Sequence, residues 1–262
     1  TIIALVNALK NNTALDDIPG ISFKKNSKII HNKDKELVEN LDTIPFPARH
    51  LFRQQKYTYP DSLASPVVPI ITSRGCPHLC TYCCSKQLFT RKVRFRSAVN
   101  VVDEIEHLIK TYGAKEIHIW DDTFTLNKKR VFEFRDEIKK RNIKINFMFS
   151  GGLRVDHVNE DILKALKEIG AYSLAFGVES GSQKILDNVK KGITLEQVEK
   201  TFKIAKNLGF ELWGFFMIGL PGETPETVRA TIDFAKKLDP DVAKFHILKP
   251  FPGSEGYRQF KE

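Results

Sequence analysis

The segment RGCPHLCTYC, residues 74–83, is the most informative part of this chain for both fold and chemistry. It places Cys76, Cys80 and Cys83 in a C-x3-C-x2-C run. A cubane iron–sulfur cluster is held by four thiolates, so three cysteines would leave one iron open to a substrate or cosubstrate. The remaining cysteine, Cys84, directly follows Cys83, and adjacent residues are poorly placed to ligate two corners of one cube. We therefore expect Cys84 to take no part in the site.

Two other uses of clustered cysteines are weaker explanations. A structural zinc site needs a second pair of cysteines or histidines at a set distance, and all four cysteines lie between residues 76 and 84. A disulfide framework is typical of small secreted domains, whereas this sequence has 262 residues. Reduced, clustered thiols instead favour a cytoplasmic location.

Composition indicates an ordinary globular protein. The sequence is 42% hydrophobic and 28% charged, and it contains no apolar run long enough to predict a membrane span. The formal net charge of +9 raises the hypothesis of a nucleic-acid partner. Most lysines are scattered on polar helix faces, however, and the one dense basic stretch is RKVRFR, residues 91–96. A solvated, lysine-rich surface therefore explains most of the charge.

Apolar strands alternate with amphipathic helices from about residue 66 onward. Helix starts are indicated by capping residues such as Ser97, Asn127 and Thr194. Six such β-α steps predict an α/β fold with a parallel sheet, helices on its outer face and right-handed crossovers. Six steps rather than eight predict a partial (β/α)6, TIM-like barrel. The predicted strands are residues 66–72, 116–120, 145–149, 171–178, 212–218 and 242–248.

The first 65 residues follow a different pattern. Residues 2–9 are predicted to end a helix, and two short apolar stretches flank a predicted hairpin turn at residues 25–27. Residues 45–47 and the polar stretch after them are interpreted as a linker. We therefore divide the chain into an N-terminal extension at 1–65, a core at 66–255 and the start of a further C-terminal region at 256–262.

The cysteine run, with Tyr82 just before its third cysteine, resembles the signature of the radical S-adenosylmethionine (SAM) enzymes. The resemblance implies a 4Fe–4S cluster on Cys76, Cys80 and Cys83 whose open iron holds the amino and carboxylate groups of SAM. It also implies a (β/α)6 core, cleavage of SAM to a 5′-deoxyadenosyl radical, and an electron donor such as ferredoxin or flavodoxin. The stretch LDTIPFP, residues 41–47, is similar to the region after the cobalamin-binding domain of one subgroup. Residues 1–65 would then end such a domain, and the full-length protein would transfer a methyl group or catalyse a cyclisation.

The period of two along a strand predicts which side chains face the interior of the barrel. Apolar residues should point outward under the helices, including Phe147, Phe149 and Tyr172. His118 and His246 point inward and are more readily interpreted as hydrogen-bonded core histidines than as proton donors. The residues predicted to face inward are His118, Trp120, Asp122, Asn146, Met148, Ser150, Ser173, Ala175, Gly177, Glu179, Lys244 and His246.

The resemblance also implies which residues contact the cofactors. The end of the second core strand would bind the SAM amino group, although an aspartate pair there could equally cap a helix. Glu179 would accept hydrogen bonds from the ribose hydroxyls, and Ser180 would bind the SAM carboxylate. Arg154 would bind that carboxylate or an anionic substrate, or it would form only a surface ion pair. The full implied set is Tyr82, Trp120, Asp121, Asp122, Ser150, Gly151, Arg154, Glu179, Ser180 and Gly219.

Two further functional hypotheses stay open at this point. One is a cobalamin-free radical SAM enzyme that modifies RNA, for which residues 91–96 are the only support. The other is a non-catalytic module with a closed metal site, which would bind metal without binding SAM. Polar residues at the strand ends argue against the second hypothesis, because a structural metal site does not need them.

Overall fold

The computed structural model describes residues 1–52 and 58–259, and the chain divides into two compact units, Thr1–Glu39 and Asn40–Glu262. The first unit holds helix α1 (Ile2–Lys10) and an antiparallel hairpin of strands β1 (Ser22–Lys25) and β2 (Lys28–His31). Positive φ angles of 47° and 63° at Asn26 and Ser27 form its two-residue turn. The predicted hairpin is therefore confirmed.

The second unit is built on a six-stranded, wholly parallel sheet with the order β10-β9-β8-β7-β6-β3. Neighbours in the sheet follow one another along the chain, as β-α-β crossovers require. The predicted α/β fold is confirmed. The strands of this unit are β3 (Val67–Ile70), β4 (Ser73–Arg74), β5 (Arg94–Phe95), β6 (Glu116–Ile119), β7 (Asn146–Leu153), β8 (Ala171–Glu179), β9 (Glu211–Ile218) and β10 (Val242–Ile247), of which β4 and β5 form a separate antiparallel pair.

Helices between these strands cover the outer face of the sheet. Their starts agree with the predicted caps: the Ser97 hydroxyl accepts from the Asn100 amide at 3.1 Å, and Thr194 forms a reciprocal capping box with Gln197. Gly113 ends one helix with a φ of 65°. The helices are α2 (Ser85–Phe89), α3 (Ala98–Tyr112), α4 (Lys128–Lys140), α5 (Glu160–Glu168), α6 (Gln183–Asn188), α7 (Leu195–Asn207), α8 (Pro225–Leu238) and α9 (Glu255–Gln259). Among the helices of residues 1–52 and 58–259, none is long and apolar enough to cross a bilayer.

Alternation along the strands places the main core between the sheet and the helices. Phe147, Phe149 and Phe176 are fully buried on this outer face, as predicted. Each contributes about 1.5–3 kcal/mol of burial free energy. Met148 and Ala175 point to the opposite, inner face, where they pack with Trp213.

The predicted orientation of Tyr172 is wrong. Phe147 pairs with Ala171, whereas the next residue of β7, Met148, pairs with Ser173, so β8 carries one extra residue at this point. This irregularity turns Tyr172 inward, where its hydroxyl donates to Glu116 Oε1 at 2.7 Å. A bulge shifts alternation by one residue, and the sequence pattern alone does not reveal it.

The predicted linker packs against the sheet edge. Phe46 of this linker lies beneath the Arg96 guanidinium, whose Cζ atom is 5.5 Å from the centroid of the Phe46 ring. Leu41, just before the linker, is buried. With Trp120 and Ile71, this stretch lines an apolar cavity of about 410 Å³. The part of the predicted linker at residues 53–57 lies outside the described residues.

Candidate functional site

The cysteine loop begins directly after β4 and brings three thiols to one cavity. Cys76, Cys80 and Cys83 all line a space of about 110 Å³ that Cys84 does not line. Cys84 lines a second space beside Met217, which Cys83 also borders. Gly75 enters the loop with a φ of 101°, and a Cβ there would lie 2.4 Å from a backbone oxygen. The absence of Cys84 from the lining of the three-thiol space agrees with its predicted exclusion.

The chemistry of the three thiols fits an iron–sulfur cluster with one open position. Burial raises the pKa of Cys76, and it raises the pKa of Cys83 to about 11, with smaller contributions from the neighbouring cysteines. Thiols that influence one another in this way lie close together. The raised pKa values mean that deprotonation is costly without a metal, and the positive charge of iron would offset that cost, because the thiolate is the ligand form.

Arg154 contacts this loop from the segment after β7. Its Nη1 atom lies 3.8 Å from Cys80 Sγ, and its Nη2 atom donates to the Lys191 carbonyl at 2.7 Å. Asp156 accepts from Nε at 3.0 Å and from Nη2 at 2.9 Å. Burial alone would lower the pKa of Arg154, but Asp156 and Cys80 raise it, so the side chain is a fixed cation beside the cysteines. A surface ion pair, the predicted alternative, is ruled out because the residue is 5% exposed.

Two histidines that sequence reasoning does not assign to the site join the cysteine loop to the Arg154 segment. His78 Nε2 and His157 Nε2 are 2.8 Å apart. Burial and, to a smaller extent, the positive charge of Arg154 lower the pKa of His78 to about 4, so the ring is neutral at physiological pH. Nothing in the spacing of these residues along the chain indicates this contact, because they lie on separate β-α loops.

The two aspartates after β6 have different surroundings. Asp122 accepts from the Ser85 hydroxyl at 2.5 Å, and its charge raises the pKa of Cys76 and of Cys83 slightly. It therefore lies beside the cysteine loop with its carboxylate available to an ammonium group. Asp121, in contrast, is hydrogen-bonded to residues that precede the cysteine loop.

The structure gives Asp121 a supporting position rather than the predicted contact with SAM. Its carboxylate accepts from the Thr72 amide at 2.5 Å and from the Thr72 and Ser73 hydroxyls at 2.5 and 2.6 Å. Burial raises its pKa, and the nearby Arg130 guanidinium opposes that rise. The carboxylate ties the entry of the cysteine loop to the sheet, and its partners lie almost fifty residues away in the sequence.

Glu179 lies at the end of β8, beside Tyr82 of the cysteine loop. Its Oε1 atom is 2.7 Å from Lys191 Nζ, which is 3.4 Å from the Tyr82 hydroxyl. Burial raises the pKa of Tyr82 well above its usual value, and the Glu179 charge adds to this effect. Lys191 is a site residue that the sequence analysis misses, because a lysine in a polar stretch is usually a surface residue. Its burial, at 5% exposed, is a tertiary property.

Ser180 is directed away from the cysteine loop. Its hydroxyl lies 3.1 Å from the Thr231 hydroxyl of α8, and the side chain is fully buried. The predicted contact with the SAM carboxylate would require this hydroxyl to leave α8. Ser150 differs, because its buried hydroxyl has no hydrogen-bond partner in the described part of the chain. A buried hydroxyl of this kind fits a bound polar ligand.

The three remaining predicted residues lie at or just after strand ends. Gly151 passes so close to the segment after β6 that a Cβ would lie 2.4 Å from the Asp121 carbonyl oxygen. Gly219 follows β9 with a φ of 90°, and its amide donates to Glu223 at 2.5 Å. Trp120 is 48% exposed and lines the apolar cavity of about 410 Å³ instead of facing the cysteines.

The inner-face histidines occupy different environments. His118 is buried and its Nε2 atom lies 2.7 Å from Glu116 Oε1, so the prediction of a hydrogen-bonded core histidine is confirmed. His246 is exposed on β10, and its ring lies 6.1 Å from that of Phe215. It therefore faces the open side of the sheet and is not a core histidine.

The basic stretch at residues 91–96 does not form a surface patch. Arg94 is 6% exposed, and Arg96 is ion-paired with Glu104 at 2.5 Å. Arg91 donates to the His78 carbonyl at 2.7 Å. These arginines contact the cysteine loop and α3, so residues 91–96 do not themselves support the hypothesis of an RNA partner.

Comparison with known proteins agrees with this geometry. The chain is 42% identical over 250 residues to an uncharacterized methyltransferase, PH0819, of Pyrococcus horikoshii, covering 95% of this chain and 53% of that protein. It is 34% identical over 232 residues to the cytidylyl-2-hydroxyethylphosphonate methyltransferase of Streptomyces wedmorensis, covering 84% of this chain and 43% of the relative. The chain thus spans about half the length of these relatives.

A solved structure shares the fold. The radical S-adenosylmethionine methyltransferase TsrM from Kitasatospora setae, with cobalamin and a [4Fe-4S] cluster bound, superposes with a TM-score of 0.77 at 21% identity. The match covers 97% of this chain and 50% of TsrM. Residues 70–235, more than half of the chain, match the Radical SAM superfamily. With three cysteines sharing one cavity at the strand ends, the chain belongs to the radical SAM superfamily.

Proposed function

We propose that this chain is the core of a radical SAM methyltransferase in which Cys76, Cys80 and Cys83 hold a 4Fe–4S cluster. When bound and reduced, the cluster would supply the electron that cleaves SAM to methionine and a 5′-deoxyadenosyl radical, which abstracts hydrogen from the substrate. The observation that carries the proposal is the shared cavity of the three thiols, from which Cys84 is excluded.

The surrounding residues take roles that their positions support. Asp122 binds the SAM ammonium, because its carboxylate lies beside the cysteine loop. Ser150 offers its unpartnered hydroxyl to the SAM carboxylate. Glu179 accepts the ribose hydroxyls while Lys191 fixes its orientation, and Tyr82 covers the adenine side of the loop. Gly151 and Gly219 let backbone approach the ligand at the strand ends.

The overall reaction is inferred from the names of the relatives rather than from the geometry of this site. Both curated relatives described above are named as methyltransferases, and TsrM binds cobalamin. We propose that the full-length protein transfers a methyl group with the help of cobalamin and acts in the cytoplasm. A low-potential carrier such as ferredoxin or flavodoxin delivers the electron. The rim of the cysteine cavity suits an acidic carrier, since it includes Lys86, Arg91 and Arg258.

The test is anaerobic reconstitution of the chain with iron and sulfide, followed by dithionite and SAM. Mass spectrometry should detect 5′-deoxyadenosine in the wild type and none in Cys80→Ala. A folded, cluster-loaded protein that neither binds SAM nor forms this product would overturn the proposal and favour a structural metal module.

A further inference from the structure

The Arg154 side chain presents a buried positive charge to a cluster ligand. We propose that Arg154 raises the reduction potential of the cluster by donating a charge-assisted hydrogen bond to the Cys80 sulfur. This inference rests on the proposed function, because it requires Cys80 to be a cluster ligand. It goes beyond that function by assigning Arg154 to the cluster rather than to SAM or the substrate.

The contacts of Arg154 fix the direction of its charge. Nε and Nη2 form a bidentate pair with Asp156, and Nη2 also donates to the Lys191 carbonyl. These bonds leave Nη1 facing the cysteine loop, 3.8 Å from Cys80 Sγ. Together the contacts use four of the five N–H groups that a guanidinium offers. A side chain held in this way has little freedom to reach another anion.

The effect on the potential follows from charge. Reduction adds one electron, supplied here by dithionite, and therefore one negative charge to the cluster, with no bond made or broken in the protein. A cation beside a ligand sulfur stabilises the reduced form more than the oxidised form, and hydrogen bonds to the sulfurs act in the same direction. The side chain of Arg154 is 6% exposed, so water screens this interaction weakly.

The negative charge of Asp156 weakens the effect of Arg154 on the reduction potential without cancelling it. The Asp156 side chain is 20% exposed, more than three times as exposed as that of Arg154. It binds the Nε edge of the guanidinium, whereas Cys80 faces Nη1. The positive end of the pair is therefore directed towards the sulfur and the negative end towards solvent. Removal of either charge should shift the potential, but in opposite directions.

The experiment is an EPR-monitored dithionite titration of the reconstituted, SAM-free protein. Arg154→Gln should shift the reduction equilibrium about tenfold towards the oxidised form, which is ~59 mV for a one-electron couple. Asp156→Asn keeps the cation and should shift the potential upward. Arg135→Gln, which removes a cation paired with Asp136 on α4, is the matched control and should leave the potential unchanged.

The possible outcomes separate this inference from the proposed function. An unchanged potential in a cluster-loaded Arg154→Gln overturns the inference, and a weakened SAM affinity with that unchanged potential assigns Arg154 to SAM instead. If Arg154→Gln does not fold, the Asp156→Asn potential decides, since no upward shift there also overturns the inference. A folded wild type that holds no cluster overturns the proposed function itself, and this inference with it.

Discussion

The Lys191 ammonium lies 2.7 Å from the Glu179 carboxylate, and the two side chains are 6% and 12% exposed. Glu179 ends β8 with a φ of 70°, a left-handed conformation that is uncommon for a residue with a side chain. Lys191 lies in the loop after α6 and also reaches the Tyr82 hydroxyl. The ion pair therefore connects a strained strand end to the cysteine loop.

Removal of the Lys191 charge should destabilise the protein strongly. In Lys191→Met, Glu179 remains buried without its cation, and breaking a buried pair in this way costs about 3–5 kcal/mol. The double variant Lys191→Met/Glu179→Gln should recover part of the loss, because neither charge is then left unpaired. Urea unfolding of the wild type and the two variants under anaerobic conditions measures these differences.

A surface pair provides the control for that experiment. Lys237 and Glu199 form an ion pair at 2.6 Å with side chains that are 63% and 39% exposed. Lys237→Met should change the free energy of unfolding by less than about 1 kcal/mol. If Lys191→Met behaves like this control, the pair does not hold the strand end.

The adjacent cysteines should differ sharply in their effect on the cluster. Cys83→Ser removes a thiol of the shared cavity, so iron and sulfide content after reconstitution should fall by more than tenfold. Cys84→Ser should retain the wild-type content, because Cys84 does not line the cavity shared by the other three thiols. Iron analysis and the visible absorption of the two reconstituted variants provide the measurement. Equal loss in both variants would contradict the assignment of ligands.

Local rules account for most of the fold. Phe147 and Phe149 lie on the outer face because a strand has a period of two, and Ser97 caps α3 because its hydroxyl reaches an amide three residues on. Tyr172 was placed on the wrong face because one extra residue in β8 reverses the alternation. That irregularity depends on the partner strand, and no local pattern encodes it.

The same distinction applies to the candidate site, where local sequence spacing reveals some residues and tertiary contacts determine the roles of others. The three cysteines are close in sequence, so their spacing reveals them. Other residues of the site are engaged by partners from other elements: Asp121 by Thr72, Ser180 by Thr231 and Glu179 by Lys191. Sequence reasoning can place a polar residue at a strand end, but it cannot show which neighbouring element has already engaged that residue.

Glu116 should make the stability of the protein sensitive to acid. Burial raises its pKa, but hydrogen bonds from His118, Tyr172 and the Ala64 amide outweigh burial and leave the pKa below its usual 4.5. A lowered pKa in the folded state means that the stabilisation is complete above pH 4.5 and is lost as the pH falls through the folded-state value. Urea midpoints between pH 7 and pH 3 should show this loss in the wild type.

The variant Glu116→Gln isolates this contribution. At pH 7 it should be less stable than the wild type by about 1–3 kcal/mol, because an amide cannot accept all the hydrogen bonds of the buried carboxylate. The difference between the two proteins should shrink below pH 4.5. A constant difference across the whole range would show that Glu116 is not the group that titrates.

The close approach of Gly151 to the segment after β6 gives a steric prediction at the site itself. In Gly151→Ala the new Cβ would lie 2.4 Å from the Asp121 carbonyl oxygen, so β7 must move away from the loop that carries Asp122. SAM affinity should fall by more than tenfold, measured by calorimetry on the reconstituted protein.

Gly113→Ala is the control: its Cβ meets nothing within 4 Å, so only the strain of a φ of 65° remains, about 1 kcal/mol. Because Gly113 ends α3 and lines none of the cavities described above, its substitution should lower stability slightly and leave SAM affinity unchanged. Unchanged SAM affinity in Gly151→Ala would mean that the spacing between these two strand ends does not shape the cofactor site.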